Sequence, residues 1–311
     1  MFEYSKLPFG EMTKHRFYDA TTGNGFEVVP EVGGTIIDLW LAQRPIISGC
    51  RTPEELNNNQ AYKSSLLFPF PNRLDNGEYE HLADHYKFDI NEKETQTALH
   101  GLGRDVEMDI LKKECTDDDA FIKLSYFYEG SEDAYPFPFL VDIEYRISNT
   151  NGFTLTMRYT NEAEFSIPVG LGWHPYFQLA APIDQLHLRL PPCRMVEVNE
   201  RMLPTGRLMP YEYFNTARPI GKTVLDNAFL LEESQDEASV LLIHNDYSLS
   251  YWQESGPGKF RYLQVYTPPD RNTIAIEPMT CNIDAFNNGD GLIMLGPEKY
   301  VEARCGLKLK G

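Results

Sequence analysis

Four short segments of this chain set titratable or strongly hydrogen-bonding side chains into apolar or aromatic surroundings: Phe68-Pro69-Phe70-Pro71-Asn72-Arg73, Leu99-His100-Gly101, Gly172-Trp173-His174-Pro175-Tyr176-Phe177 and Ile274-Ala275-Ile276-Glu277-Pro278. Leu225-Asp226-Asn227-Ala228-Phe229 repeats the pattern more weakly. Glu277 follows an apolar, strand-like run and precedes a proline, which cannot continue a central ladder. That context predicts a carboxylate at the end of a buried strand, where desolvation raises its pKa toward a useful general-base value. A structural carboxylate paired with an arginine fits the same position.

His174 stands among Trp173, Tyr176 and Phe177. Such an imidazole is either a satisfied core histidine or a proton donor beside an aromatic wall, the kind of surface on which the C–H face of a sugar stacks. His100 precedes Gly101 and Gly103, which allow a tight turn or a close approach of backbone. Asn72 and Arg73 follow a rigid, extended Pro-Phe-Pro run. Together they offer many donors for hydroxyl oxygens. The remaining histidines carry less. His81 and His85 have metal-ligand spacing for a helix, but the residues around them read as a strand hairpin. His187 alternates outward with Arg189. No nucleotide-binding glycine loop, Gly-x-Ser-x-Gly elbow or zinc-protease histidine pair is present.

The elements that must hold these residues are strands. Val141, Ile143, Tyr145 and Ile147 alternate with polar residues, as do Phe153, Leu155, Met157 and Tyr159, and Asn149-Thr150-Asn151-Gly152 between them carries a turn signal, so the two runs predict a hairpin. Further strands are expected at 121–127, 185–190, 239–244, 247–252, 262–266, 273–276 and 301–309. The helix evidence reduces to Thr52-Pro53-Glu54-Glu55, a cap, a first-turn proline and two acids that open one short helix. Twenty-one prolines and twenty-two glycines punctuate the 311 residues without a linker or a solenoid repeat. The expectation is a single all-β domain spanning 1–311.

Composition narrows the function classes. A net charge of −18, from 46 acidic and 28 basic residues, disfavours nucleic acid and anionic membrane as partners. No apolar stretch approaches the roughly 18–20 residues a membrane helix needs. The N-terminus shows no secretory pattern, which predicts a cytoplasmic protein. Five scattered cysteines without CxxC spacing give neither a disulfide framework nor a zinc site, and Cys305 falls on the apolar side of its strand.

In their order along the chain the segments resemble the aldose 1-epimerase (galactose mutarotase-like) family. The matching pieces are Asn72-Arg73 with Gly77, Leu99-His100-Gly101, His174-Pro175-Tyr176-Phe177, Asp226 with Phe229, Glu277-Pro278, and the closing Gly296-Pro297-Glu298-Lys299-Tyr300. The resemblance implies a large antiparallel β-sandwich with an open cleft on one sheet. It also implies a monosaccharide as substrate and no cofactor. His174 resembles the family's general acid and Glu277 its general base. Arg73, His100 and Asp226 resemble substrate-positioning residues, with Asn72 in support. The oligomeric state stays open between monomer and homodimer.

Trp173, Pro175, Gln178 and Gly103 depart from the family pattern in places expected near the sugar, so the resemblance leaves the preferred sugar open. Three other readings compete with a free-hexose epimerase. A hexose-6-phosphate 1-epimerase would need a phosphate site, for which Arg104, flanked by Asp105 and Glu107, is the candidate. An acidic sugar held by Arg73 or Arg104 is a variant of that reading. A non-catalytic carbohydrate-binding domain would be expected to lose the acid or the base. A glycosidase using Asp226 and Glu277 would leave both histidines without a role.

Overall fold

Alternation of apolar and polar residues settles most of the architecture. In the computed structural model, which describes residues 1–232 and 236–311, Phe139–Ser148 and Gly152–Asn161 form the expected hairpin, with Ile143 opposite Met157. Their inward side chains are buried at every second position. This hairpin supplies the third and fourth strands of a nine-stranded antiparallel sheet. Its strands run in the order Asp109–Cys115, Asp119–Tyr128, Phe139–Ser148, Gly152–Asn161, Tyr300–Lys310, Ser248–Glu254, Glu237–Ile243, His187–Arg189 and Arg218–Pro219.

A second antiparallel sheet of eight strands carries Asp226 and Glu277. Its order is Pro204–Tyr211, Cys193–Val198, Asp226–Leu231, Tyr262–Tyr266, Ile274–Met279, Gly172–Trp173 and Leu66–Leu67, with Tyr176–Phe177 also paired to Ile274–Met279. The two sheets share one core. Ile274, Ile276, Leu263, Val265 and Phe229 enter it from the eight-stranded sheet, and Val141, Ile143, Leu155 and Leu307 from the nine-stranded one. Phe153 meets Trp173 across the interface at 6.1 Å between ring centroids, and Phe177 meets Tyr251 at 6.0 Å. Each such buried apolar side chain stabilises the fold by about 1.5–3 kcal/mol. The inner face therefore anchors the strands and leaves the outer face of the eight-stranded sheet free to hold polar groups. A five-stranded sheet over residues 3–45 packs beside this sandwich. The fold is all-β.

Several elements differ from expectation. The sequence places a strand at 185–190, but Ile183–Gln185 is a single 3-10 turn and only His187–Arg189 is extended. The strand expected to end before Glu277 runs on through Pro278 to Met279. A proline is tolerated there because the ladder to the Gly172–Phe177 segment lapses between the pairs Gly172–Met279 and Tyr176–Ala275. The short helix is found as expected at Pro53–Asn58, with the Thr52 hydroxyl accepting from the Glu55 amide at 3.1 Å. All five cysteines are free, and Cys305 is buried. Among the described residues, no helix is long and apolar enough to cross a membrane.

Candidate active site

Strand alternation turns Glu277 outward. Ile274 and Ile276 point into the core, so Ala275 and Glu277 face the opposite side of the sheet. The register that pairs Gly172 with Met279 and Tyr176 with Ala275 brings His174 opposite Glu277. The His174 backbone does not join that ladder. Its amide donates to Ser65 O at 3.0 Å, and its carbonyl accepts from Ser64 N at 2.9 Å. The imidazole is thereby held over the carboxylate, with Nε2 3.4 Å from Glu277 Oε1. Both side chains are buried, and among the described residues neither His174 Nδ1 nor Glu277 Oε2 has a hydrogen-bond partner.

Burial dominates the electrostatics of this pair. It lowers the His174 pKa to about 3 and raises that of Glu277 well above the usual carboxylate range, an effect the nearby Asp226 charge reinforces and Arg73 opposes. Both shifts favour a neutral pair, imidazole with carboxylic acid. Transfer of that one proton from Glu277 to His174 yields imidazolium and carboxylate. A hydroxyl donating to Glu277 favours the second arrangement, because hydrogen bonds to a carboxylate stabilise its charged form.

Around the pair, Asn72 and His100 lock two segments together. The Asn72 amide donates to His100 Nδ1 at 3.0 Å, and the His100 amide donates to Asn72 O at 2.9 Å. His100 Nε2 therefore carries the ring proton and is a donor. Burial first, then the neighbouring His174, Arg73 and Arg104, hold its pKa well below the ordinary imidazole value. The glycines after it do what their positions suggest. A side chain on Gly101 would run into the Phe68 carbonyl, and one on Gly103 into the Leu66 carbonyl.

Arg73 Nε and Nη2 donate to the two oxygens of Glu92 at 2.7 and 2.8 Å. Thr95 and Thr97 hydroxyls donate to the same carboxylate at 2.5 and 2.9 Å. Gln264, paired with Glu277 across the strands, donates to Asp226 Oδ1 at 2.7 Å and accepts from Asn72 Nδ2 at 3.4 Å. Burial raises the Asp226 pKa, with Arg73 opposing. Tyr176 stacks on His174 with 5.0 Å between ring centroids, and Tyr62 meets His100 edge-on at 4.6 Å.

His174, Glu277, Arg73, His100, Asp226 and Asn72 all line one cavity of about 560 Å³, within the usual range for a small-molecule site. Of the four residues that depart from the family pattern, only Gln178 lines it. Trp173 is fully buried in the core, and Pro175 and Gly103 are buried without reaching the cavity, because alternation sends Trp173 to the side of the sheet opposite His174. Arg104 is also outside the lining; it is spent on a two-point contact with Asp105 at 2.9 and 2.8 Å and lies over Tyr62. His81 and His85 sit on a hairpin, as the sequence suggests, with His81 Nε2 donating to Ser166 O.

Sequence reasoning passed over several residues of this cavity, Gln264, Glu92 and Tyr62 among them. Gln264 was detectable, as an amide in the middle of the apolar strand Tyr262–Tyr266. Glu92 lies in a polar loop and Tyr62 beside a short helix, where nothing in the local sequence distinguishes them.

The chain is 29% identical over 251 residues to the uncharacterised Escherichia coli protein YihR, covering 78% of this chain and 77% of that protein. It is 24% identical over 284 residues to galactose mutarotase of Rattus norvegicus, covering 85% and 78% of the two chains. Among solved structures, a galactose mutarotase-like protein from Clostridium acetobutylicum superposes with a TM-score of 0.89 at 20% identity, over 100% of this chain and 98% of that one. Galactose 1-epimerase from Lactobacillus acidophilus gives 0.82 at 17% identity, over 100% and 98%. These structural likenesses establish the shared fold. The sequence model of the aldose 1-epimerase family matches residues 17–308, nearly the whole chain, and the protein belongs to that family.

Proposed function

We propose that this protein interconverts the α and β anomers of a free hexose, with His174 as general acid and Glu277 as general base. Glu277 removes the proton of the C1 hydroxyl while His174 protonates the ring oxygen. The C1–O5 bond breaks and the open-chain aldehyde forms. Rotation about C1–C2 presents the other face of the aldehyde, and closure reverses both transfers, returning each proton to its donor. Each transfer contributes about 10²- to 10⁴-fold. The reaction as written needs no metal or organic cofactor. Arg73, His100 and Asp226, with Asn72 in support, hold the remaining hydroxyls. His100 is a donor through Nε2 and Asp226 an acceptor, so both senses of hydroxyl hydrogen bond are served.

The observation that carries this reading is the 3.4 Å approach of His174 Nε2 to Glu277 Oε1 at the wall of a polar cavity. A phosphorylated hexose fits less well. The cations lining the cavity, Arg73 and Lys63, are each paired with a carboxylate, Glu92 and Glu55. The test is polarimetry on freshly dissolved α-D-glucose and α-D-galactose against the spontaneous rate. Acceleration is expected, and Glu277→Gln and His174→Asn are each expected to reduce it by at least about 10²-fold. Unchanged rates in both variants would remove the assigned roles.

A further inference from the structure

We propose that Glu92 is a specificity-determining residue that neutralises Arg73 and so excludes anionic sugars from the cavity; the inference rests on the sugar-binding reading given above. The strand bearing Asp226 lies two strand spacings from the one bearing Glu277, about 10 Å. A hexose with C1 at the His174–Glu277 pair therefore presents its far end toward Asp226 and the neighbouring Arg73–Glu92 pair. C6, where hexoses most often carry a carboxylate or phosphate, is attached at C5 beside the ring oxygen, so an anion there lies inside the same cavity and within the field of that pair.

An arginine in such a place would ordinarily invite an anion, since its planar fork matches carboxylate and phosphate. Here the fork is already filled. Nε and Nη2 are both bound to Glu92, and among the described residues Nη1 has only a long 3.4 Å contact with Asn72 Oδ1. Glu92 is itself fixed by the hydroxyls of Thr95 and Thr97, so it cannot swing aside without losing those bonds. Among the described residues the lining holds the carboxylates Glu92, Asp226 and Asp270, beside the neutral Glu277, against the two cations Arg73 and Lys63. Lys63 is held by Glu55 at 2.6 Å. An incoming anion meets a net negative wall, whereas a neutral hexose finds Nη1 still directed to a hydroxyl. Specificity here comes from a repulsive element as much as from attraction.

The experiment is isothermal calorimetry of the full chain with D-galactose, D-galacturonate and the uncharged methyl ester of D-galacturonate, in wild type, Glu92→Gln and Glu92→Asp. Wild type is expected to bind galactose and the ester within about tenfold of each other, and the free acid at least about tenfold more weakly. Glu92→Gln is expected to raise galacturonate affinity relative to galactose by at least about tenfold. Glu92→Asp, which keeps the charge, is expected to restore the wild-type order. Three results overturn the proposal: equal weakening of all ligands in Glu92→Gln, equal discrimination by wild type against acid and ester, or no binding of any of them by wild type. The ester comparison uses wild type alone and stands if Glu92→Gln does not fold. Calorimetry reads binding whether or not turnover occurs. Galactose binding without accelerated mutarotation would thus overturn the epimerase reading and leave the role of Glu92 intact.

Discussion

Glu277 and His174 each keep a buried polar atom without a hydrogen-bond partner among the described residues, an arrangement that costs about 1–3 kcal/mol per atom. Such a cost is what a site complementary to something other than itself carries. The direction of the Glu277 shift has a consequence for stability. Its folded pKa lies well above its unfolded value, so between the two the unfolded chain ionises this carboxyl and the folded chain does not. The contribution of the group to stability is full below the unfolded value and is lost as pH rises through the folded one. His174 acts in the opposite sense, losing stability as pH falls from the ordinary imidazole value toward about 3. Glu277→Gln abolishes only the first loss. Its Tm is therefore expected to exceed that of wild type by more at about pH 8 than at about pH 4.5, as scanning calorimetry can measure. Equal differences at both pH values would contradict the buried, neutral carboxyl. Residue identity was legible wherever a polar group broke an apolar run, as with Glu277 and His174. Glu92 gave no such sign, because its significance lies in a bond to Arg73 nineteen residues away.

The elements that hold the site are two clasped loops and a broken ladder. Residues 72–73 and 99–100 grip each other through reciprocal bonds between Asn72 and His100 and the pairing of Arg73 with Leu99. Gly101 makes that grip possible. It has φ +64° and lies directly against the Phe68 carbonyl. Gly101→Ala is expected to destabilise the protein by about 1–3 kcal/mol and to weaken sugar binding by displacing His100. Urea unfolding and calorimetry would measure the two effects, and a variant with wild-type values in both would refute the role of this turn. The alternation over 301–309 locates the strand Tyr300–Lys310 to within a residue at each end, and the hairpin strands Phe139–Ser148 and Gly152–Asn161 to within two. The strands over residues 3–41 were missed. Their buried faces carry His15, Asp19 and Glu27 among the apolar residues, so the polar–apolar pattern is blurred. These groups are satisfied by partners remote in sequence, as Glu27 is by Lys14 and Asp19 by Asn149.

At the scale of the whole molecule, the charge of −18 surrounds a cavity that is itself acidic. Long-range fields act on charged ligands and leave neutral ones unaffected. The kcat/KM for galactose is therefore expected to change less than about twofold between about 0.05 and 0.5 M NaCl. Weak binding of galacturonate is expected to strengthen over the same range as screening shortens the repulsion. A steep fall of galactose turnover with salt would point to a charged substrate instead.

The sequence by itself determined that the chain is built of strands, because period-two alternation is a local property that no distant contact is needed to read. It also singled out six residues that line the cavity, His174, Glu277, Arg73, His100, Asp226 and Asn72, because a titratable or strongly polar group inside an apolar run is conspicuous wherever the run folds. Tertiary structure decided the rest. Only the register between the Gly172–Phe177 segment and Ile274–Met279 places His174 on Glu277, more than a hundred residues away. Only packing shows that Trp173 belongs to the core and Gln178 to the cavity, and only three-dimensional proximity fills the Arg73 fork with Glu92. Register and long-range pairing depend on how distant strands meet, and a one-residue slip would send every side chain to the other face.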